Sequence, residues 1–365
     1  MKKEKSASQN KNKRTKREAA KSASSAVNNI TLGKGLDVGT AFIYCAQKNG
    51  PQVSFKSQRN AFFDIEAGDF SKDILKRSNV KYIRKADKFY VVGDDAMKFA
   101  NIFAKNTRRP LQSGVISALE EDALPIVELI IKNTLGAHRH KYETVYYSVP
   151  GNPVDADFNT IYHENILAGM LKRWDYTPKP INEGLAVIYA ELTEDNFTGI
   201  GISLGGGMAN VCFANLSVPV FSFSVARAGD WIDSEVARVT NETMSRVTYL
   251  KETSLDLSKP EEEMSKIEHA LSIYYRYLLE YILGHIKREF SANAKIPRLE
   301  TPVPMVVSGG TAMPKGFLGL FKEVVHKTAL PIQIGEIRLA ANPLTSVAKG
   351  ALVAAIADRR RSQEK

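Results

Sequence analysis

Apolar positions along this chain keep two periods, and the places where one gives way to the other outline its elements. From Gly35 the run GLDVGTAFIYCAQ alternates at strand spacing around a glycine turn, which predicts a hairpin. Strand-like spacing continues through KYIRKADKFYVVGDDA, and EDALPIVELIIKNTL then shifts to helical spacing. A buried strand, TVYYSVP, closes at Pro150 and Gly151. VDADFNTIYHENILAGMLKRW returns to helical spacing, with Asp155 or Asp157 as the expected cap, and INEGLAVIYAEL predicts another helix.

The pattern then restarts. FTGIGISLGGGMANVCFANLSVPVFSFSVARAGD predicts strand, glycine turn, strand, loop and strand. Helices are expected from about Asp233 to Thr248 and from Glu261 to Phe290. VPMVVSGGTAMPKGFLGLF reads as strand, glycine turn and helix. NPLTSVAKGALVAAIADRRR reads as a closing helix whose small residues suit close packing. Asp37-Val38-Gly39-Thr40 overlays Ser203-Leu204-Gly205-Gly206 at a spacing of 166 residues, and a short apolar strand with Cys45 or Cys212 follows each. Two related α/β halves with a ligand cleft between them are the expected outcome.

Composition adds bounds. With 365 residues, 44% of them apolar, the chain can build two cores, and no apolar run is long enough to predict a transmembrane helix. The two cysteines sit in strand-like runs, as in a reduced cytoplasmic protein. His138 and His140 lack nearby partners for a metal site. The net charge of +10 belongs mainly to the ends: residues 1–21 hold nine Lys/Arg against Glu4 and Glu18, and the last eight residues hold four basic against two acidic groups. Residues 1–30 are Lys-, Ser- and Asn-rich without aromatics, so a disordered basic tail is expected there. Such a tail suits an anionic surface (lipid headgroups, nucleic acid or an acidic protein) or serves only to solubilise the chain, and it lacks the apolar face for bilayer insertion.

Five segments in order carry a family resemblance: GLDVGTAFIYCA, PINEGLAVIYAE, GIGISLGGGMANVCF, VVSGGTAMPKGF and NPLTSVAKGALVAA. They resemble the first phosphate loop, first crossover helix, second phosphate loop, adenosine loop and second crossover helix of the actin, Hsp70 and sugar-kinase ATPases. FYVVGDDAMKFA and RRPLQSGVI are similar to segments of bacterial rod-shape and magnetosome actins, and ARAGDWID to the segment beside the second phosphate loop.

The resemblance implies two actin-like, ribonuclease H-like domains around a nucleotide cleft: residues 31–182 completed by a C-terminal helix at 344–360, and residues 183–343. It implies ATP and Mg²⁺ as ligands. Asp37, Gly39 and Thr40 would form the first phosphate loop, with Asp37 holding the metal through water. Gly205, Gly206 and Gly207 would clamp the terminal phosphate, and Glu183 would orient or deprotonate the attacking water. Lys251 and Glu252 would contact the adenosine, with Gly309, Gly310 and Thr311 beneath it and Met313 against the base.

Ser203 departs from the pattern, because the family has an Asp there that helps hold the metal's waters, and Met208 and Asn210 replace Ser, Thr or acid. Nucleotide binding with slow or absent hydrolysis is therefore expected. The first reading is a cytoplasmic, self-assembling actin-like filament protein whose basic tail attaches it to an anionic partner, a membrane surface among the candidates. A non-polymerising pseudo-ATPase scaffold or membrane adaptor stands second, and a small-molecule kinase of the superfamily third.

Overall fold

The computed structural model describes residues 33–80, 82–102, 107–293, 296–299 and 301–363. The expected basic tail, residues 1–30, lies outside them. Two five-stranded sheets dominate the molecule. The first is built from β1 (Lys34–Val38), β2 (Phe42–Asn49), β3 (Gln52–Arg59), β4 (Glu143–Val149) and β5 (Tyr176–Asn182), in the order β3-β2-β1-β4-β5. The second is built from β6 (Gly199–Leu204), β7 (Ala209–Asn215), β8 (Val218–Val225), β9 (Val303–Ser308) and β10 (Ile334–Leu339), in the order β8-β7-β6-β9-β10. In both, the first three strands run antiparallel and the last two join in parallel.

The 166-residue repeat holds down to single bonds. Val38 pairs with Ile43 across the first hairpin, and Leu204 pairs with Ala209 across the second. Gly39 N–H donates to the Phe42 carbonyl at 3.0 Å, and Gly205 N–H donates to the Met208 carbonyl, also at 3.0 Å. Each turn ends a strand that points its tip into the space between the sheets.

Helices fill the remaining layers: α1 (Ala123–Leu135), α2 (Ile161–Arg173), α3 (Glu183–Glu191), α4 (Gly229–Thr240), α5 (Met244–Thr253), α6 (Lys266–Ala292), α7 (Phe317–Thr328) and α8 (Ser346–Gln363). A smaller sheet of strands Phe62–Glu66, Tyr82–Lys85 and Lys88–Val92 extends the first half. The helix expected at 233–248 is two helices. Asn241 ends α4 in a left-handed conformation (φ 57°), and the Thr243 hydroxyl caps α5 by accepting from Arg246 N–H. Neither Asp155 nor Asp157 caps α2, which starts after Thr160. Asp155 instead accepts from Ala226 N–H at 2.7 Å and so ties the loop after β4 to the second half. The same loop bridges β8 through Pro153 and Ser224.

Two helices change sides. After β5, α3 leaves the first sheet and packs on β6 and β7; after β10, α8 returns and packs on β1, β2 and β4. Close approach there requires glycine. A Cβ on Gly201 of β6 would strike the Gly184 carbonyl of α3, and one on Gly35 of β1 would strike the Ala348 carbonyl of α8. Where the two helices touch, a Cβ on Gly350 would overlap the Ala186 carbonyl.

Backbone cannot yield there as a flexible side chain can. Gly350→Ala should therefore cost about 3 kcal/mol or more, the upper range for forced overpacking. Gly284→Ala, in mid-α6 with open space around its Cβ, should instead stabilise by roughly 0.5–1 kcal/mol. Chemical denaturation of the two variants tests the pair, and a neutral Gly350→Ala contradicts the packing.

Candidate functional site

The tips of both hairpins, the start of α3 and the turn after β9 open onto one cleft of about 710 Å³ between the halves. Every residue given a catalytic, metal or nucleotide role in the sequence lines it: Asp37, Gly39 and Thr40; Glu183 and Ser203; Gly205, Gly206 and Gly207; Lys251 and Glu252; Gly309, Gly310, Thr311 and Met313. Residues from segments more than 250 positions apart thus meet at one place.

Asp37 and Glu183 mark the cleft floor. Asp37 accepts from the Ser148 hydroxyl at 2.9 Å, and the same hydroxyl oxygen accepts from Val38 N–H at 3.0 Å. Glu183 opens α3, which Asn182 caps by accepting from Leu185 N–H. Glu183 Oε2 accepts from Ser203 Oγ and from Asn210 Nδ2, each at 3.0 Å. Asn210 in turn accepts from Gly151 N–H at 3.0 Å. The residue that departs from the family pattern is therefore a hydrogen-bond donor that holds the general-base candidate.

Desolvation at the floor pushes the Asp37 carboxyl up to about 6, against the Ser148 hydrogen bond. Desolvation followed by the neighbouring Asp37 charge pushes Glu183 up to about 8, against its bonds from Ser203 and Asn210. No cationic side chain among the described residues is bonded to either carboxyl. Two neighbouring carboxyls that lack a counter-charge fit a hydrated divalent cation, which needs only one or two protein carboxylates. The amide-bearing glycine turns on both sides fit phosphate.

On the second half, the cleft wall is tied into one piece. Thr311 Oγ1 donates to the Gly205 carbonyl at 2.8 Å, and Asp230 N–H donates to the Gly206 carbonyl at 2.8 Å. A Cβ on Gly309 (φ +99°) would strike the Leu204 carbonyl. Met313 is 51% exposed, and it and Leu344 are apolar side chains of the cleft lining.

Lys251 is a buried residue of the wall. Its ammonium is buried, donating to Asp233 Oδ2 at 2.8 Å and to the Gly229 carbonyl at 3.0 Å. The sequence reading missed Asp233, whose Oδ1 is buried without a partner among the described residues. It also missed Arg109 and Asp230, which meet across the cleft with Arg109 Nη1 at 3.0 Å from both carboxylate oxygens. Arg109 does lie in RRPLQSGVI, a segment noted for its resemblance, but its partner is 121 residues away.

The family model described as Volactin matches residues 32–355. No curated protein matches the sequence. Among solved structures, the chain is similar to the double helical filament of MamK, at 17% identity and a TM-score of 0.64 over 92% of this chain and 99% of that one. It is similar to MreB5 of Spiroplasma citri bound to AMPPNP, at 15% identity and a TM-score of 0.63 over 91% and 98%. It is also similar to the ethanolamine utilization protein EutJ from Carboxydothermus hydrogenoformans, at 16% identity and a TM-score of 0.52 over 88% and 89%. These likenesses establish an actin-like fold. No helix of the described residues is long and apolar enough to cross a membrane.

The raised carboxyls set a pH dependence. The folded state keeps protons on Asp37 and Glu183 that the unfolded chain releases near pH 4, so these groups cost stability increasingly as pH rises toward about 8. Glu183→Gln should accordingly raise the melting temperature of the ligand-free protein by several degrees at pH 8 and much less at pH 5. Scanning fluorimetry at the two pH values checks this. An equal gain at both, or a loss at pH 8, contradicts the environment assigned to Glu183.

Proposed function

The chain belongs to the Volactin family, and from that premise we propose that it is an actin-like cytoskeletal protein that binds ATP with Mg²⁺ and assembles into filaments. The observation that carries the reading is the pair of uncompensated carboxyls, Asp37 and Glu183, set between two hairpin turns of matching geometry. MamK forms a double helical filament and MreB5 binds AMPPNP, and the fold shared with both supports extending these properties to this chain. The chain divides on this reading into residues 31–182 with 344–360, and residues 183–343. Its place is the cytoplasm, with the basic tail of residues 1–30 meeting a lipid, nucleic-acid or acidic protein surface.

ATP supplies the terminal phosphate, and Mg²⁺ offsets its charge. Asp37 would hold the cation through its waters, while the amides of Gly39, Thr40 and Gly205–Gly207 would receive the phosphate oxygens. Gly309, Gly310 and Thr311 would support the nucleoside, with Glu252, the Lys251–Asp233 pair and Met313 available to contact it. Glu183, held by Ser203 and Asn210, orients a water and accepts its proton once ionised.

Ser203 positions Glu183 but brings no charge of its own, so hydrolysis is slow. A positioned acid–base group is worth on the order of 10²–10⁴ in rate. The same residue favours a second reading, a nucleotide-binding scaffold that does not polymerise.

Sedimentation and electron microscopy with ATP and with AMPPNP separate the two readings. Filaments are expected with either nucleotide, and a chain that binds nucleotide yet stays monomeric at tens of micromolar throughout is the scaffold. Ser203→Asp should raise steady-state phosphate release at saturating Mg²⁺ by roughly tenfold or more. A natural rate already equal to that of the variant would remove Ser203 as the limiting feature.

A further inference from the structure

Neither glycine turn contains a lysine, so positive charge for a triphosphate has to come from elsewhere on the cleft wall. Among the described residues, the cationic side chains lining it are Arg59, Arg109, Lys251, Lys259 and Lys315. Three are committed to carboxylates: Lys251 to Asp233 at 2.8 Å, Lys259 to Glu268 at 2.8 Å and Lys315 to Asp256 at 2.7 Å. Arg59 lies over the Phe42 ring, 4.4 Å from its centre, with Asp94 at 3.6 Å.

Arg109 differs in its partner. Asp230 also lines the cleft, and it is fastened to the second glycine turn by the bond from its N–H to the Gly206 carbonyl. Its carboxylate stands so near that a Cβ on Gly206 would lie 3.3 Å from Oδ1. A phosphate seated on the amides of Gly205–Gly207 would meet that negative charge unless a cation stood between them.

The Arg109 guanidinium is the cation bonded to that carboxylate. Nη1 makes both bonds to Asp230, and no acceptor among the described residues takes Nη2 or Nε. An arginine fork can serve a carboxylate with one edge and a phosphate with another. The short hairpin that follows Arg109, of strands Leu111–Gln112 and Val115–Ile116, is also held at the meeting point of both turns. Gly114 N–H donates to Thr40 Oγ1 at 3.2 Å, and a Cβ on Gly207 would strike Gly114 N and Thr40 Oγ1.

We propose that Arg109 is a phosphate ligand: it reaches from the first half across the cleft to the terminal phosphate of a nucleoside triphosphate seated on Gly205–Gly207, and Asp230 holds it in place in the absence of that phosphate. The inference rests on the nucleotide reading above and adds the residue that distinguishes triphosphate from diphosphate. A diphosphate leaves Arg109 on Asp230; a triphosphate recruits it and so draws the two halves together.

Calorimetric titration of the full chain with AMPPNP and with ADP, both with Mg²⁺, tests this on Arg109→Gln, Arg109→Lys and Asp230→Asn. Both positions are partly exposed, at 34% and 29%, and melting curves verify that each variant folds. Arg109→Gln should weaken AMPPNP binding by roughly tenfold or more, with ADP binding little changed, and Arg109→Lys should fall between it and the natural protein. Asp230→Asn should strengthen AMPPNP binding, because it removes the competing carboxylate.

If the ion pair serves only to latch the halves, both substitutions break the same contact and move AMPPNP and ADP affinity in the same direction, which overturns the proposal. Should Arg109→Gln fail to fold, the sign of the Asp230→Asn effect decides. Natural protein that binds both nucleotides while Arg109→Gln keeps their ratio refutes this inference alone. Natural protein that binds neither refutes the nucleotide reading and this inference with it.

Discussion

Gly350 of α8 lies against Ala186 of α3 so closely that the two helix backbones touch, and each helix is pressed onto the leading strand of the half it did not come from. Residues buried at this crossing, among them Val187, Val347 and Ala351, belong to neither of the two main cores. The contact fixes where α3 begins relative to β6, and Glu183 is the first residue of α3. It likewise fixes where β1 lies relative to α8, and Asp37 is the penultimate residue of β1. The two carboxyls on the cleft floor are therefore set by a helix crossing that forms none of the cleft's glycine turns.

That arrangement explains why an uncharged side chain at Ser203 has consequences beyond its own size. A third carboxylate beside Asp37 and Glu183 would raise the cost of ionising any of them without a cation. With serine there, the floor keeps two acids and a donor. Its ligand-free form is less repulsive, and less charge is available to hold a cation's waters. The Ser203 hydroxyl and the Asn210 amide instead spend their hydrogen bonds on keeping Glu183 in one orientation.

Much of this was legible in the sequence because the relevant signals are local or repeat. The hairpins show as alternation around a glycine turn, and the spacing of 166 residues links Gly39 to Gly205. The same spacing also links Gly35 to Gly201 and Gly184 to Gly350, so the helix crossing left a trace that the sequence reading did not use. What could not be read was partnership across distance. Arg109 with Asp230, and Asp155 with Ala226 N–H, depend on loops whose mutual placement follows from the packed halves. The break at Asn241 was missed because apolar spacing runs on through it, while the left-handed residue and the Thr243 cap decide the local geometry.

The bond from Thr311 Oγ1 to the Gly205 carbonyl joins the turn after β9 to the turn after β6, and the bond from Asp230 N–H to the Gly206 carbonyl joins the start of α4 to the same piece. The second half thus presents one rigid jaw from end to end of the cleft, while Gly39, Thr40 and Arg109 belong to the other. Such a cleft behaves as a caliper. On the nucleotide reading, the number of phosphates on a ligand anchored at Thr311 would become a distance between two bodies, and a chemical difference of one phosphoryl group would be expressed as a change in molecular shape.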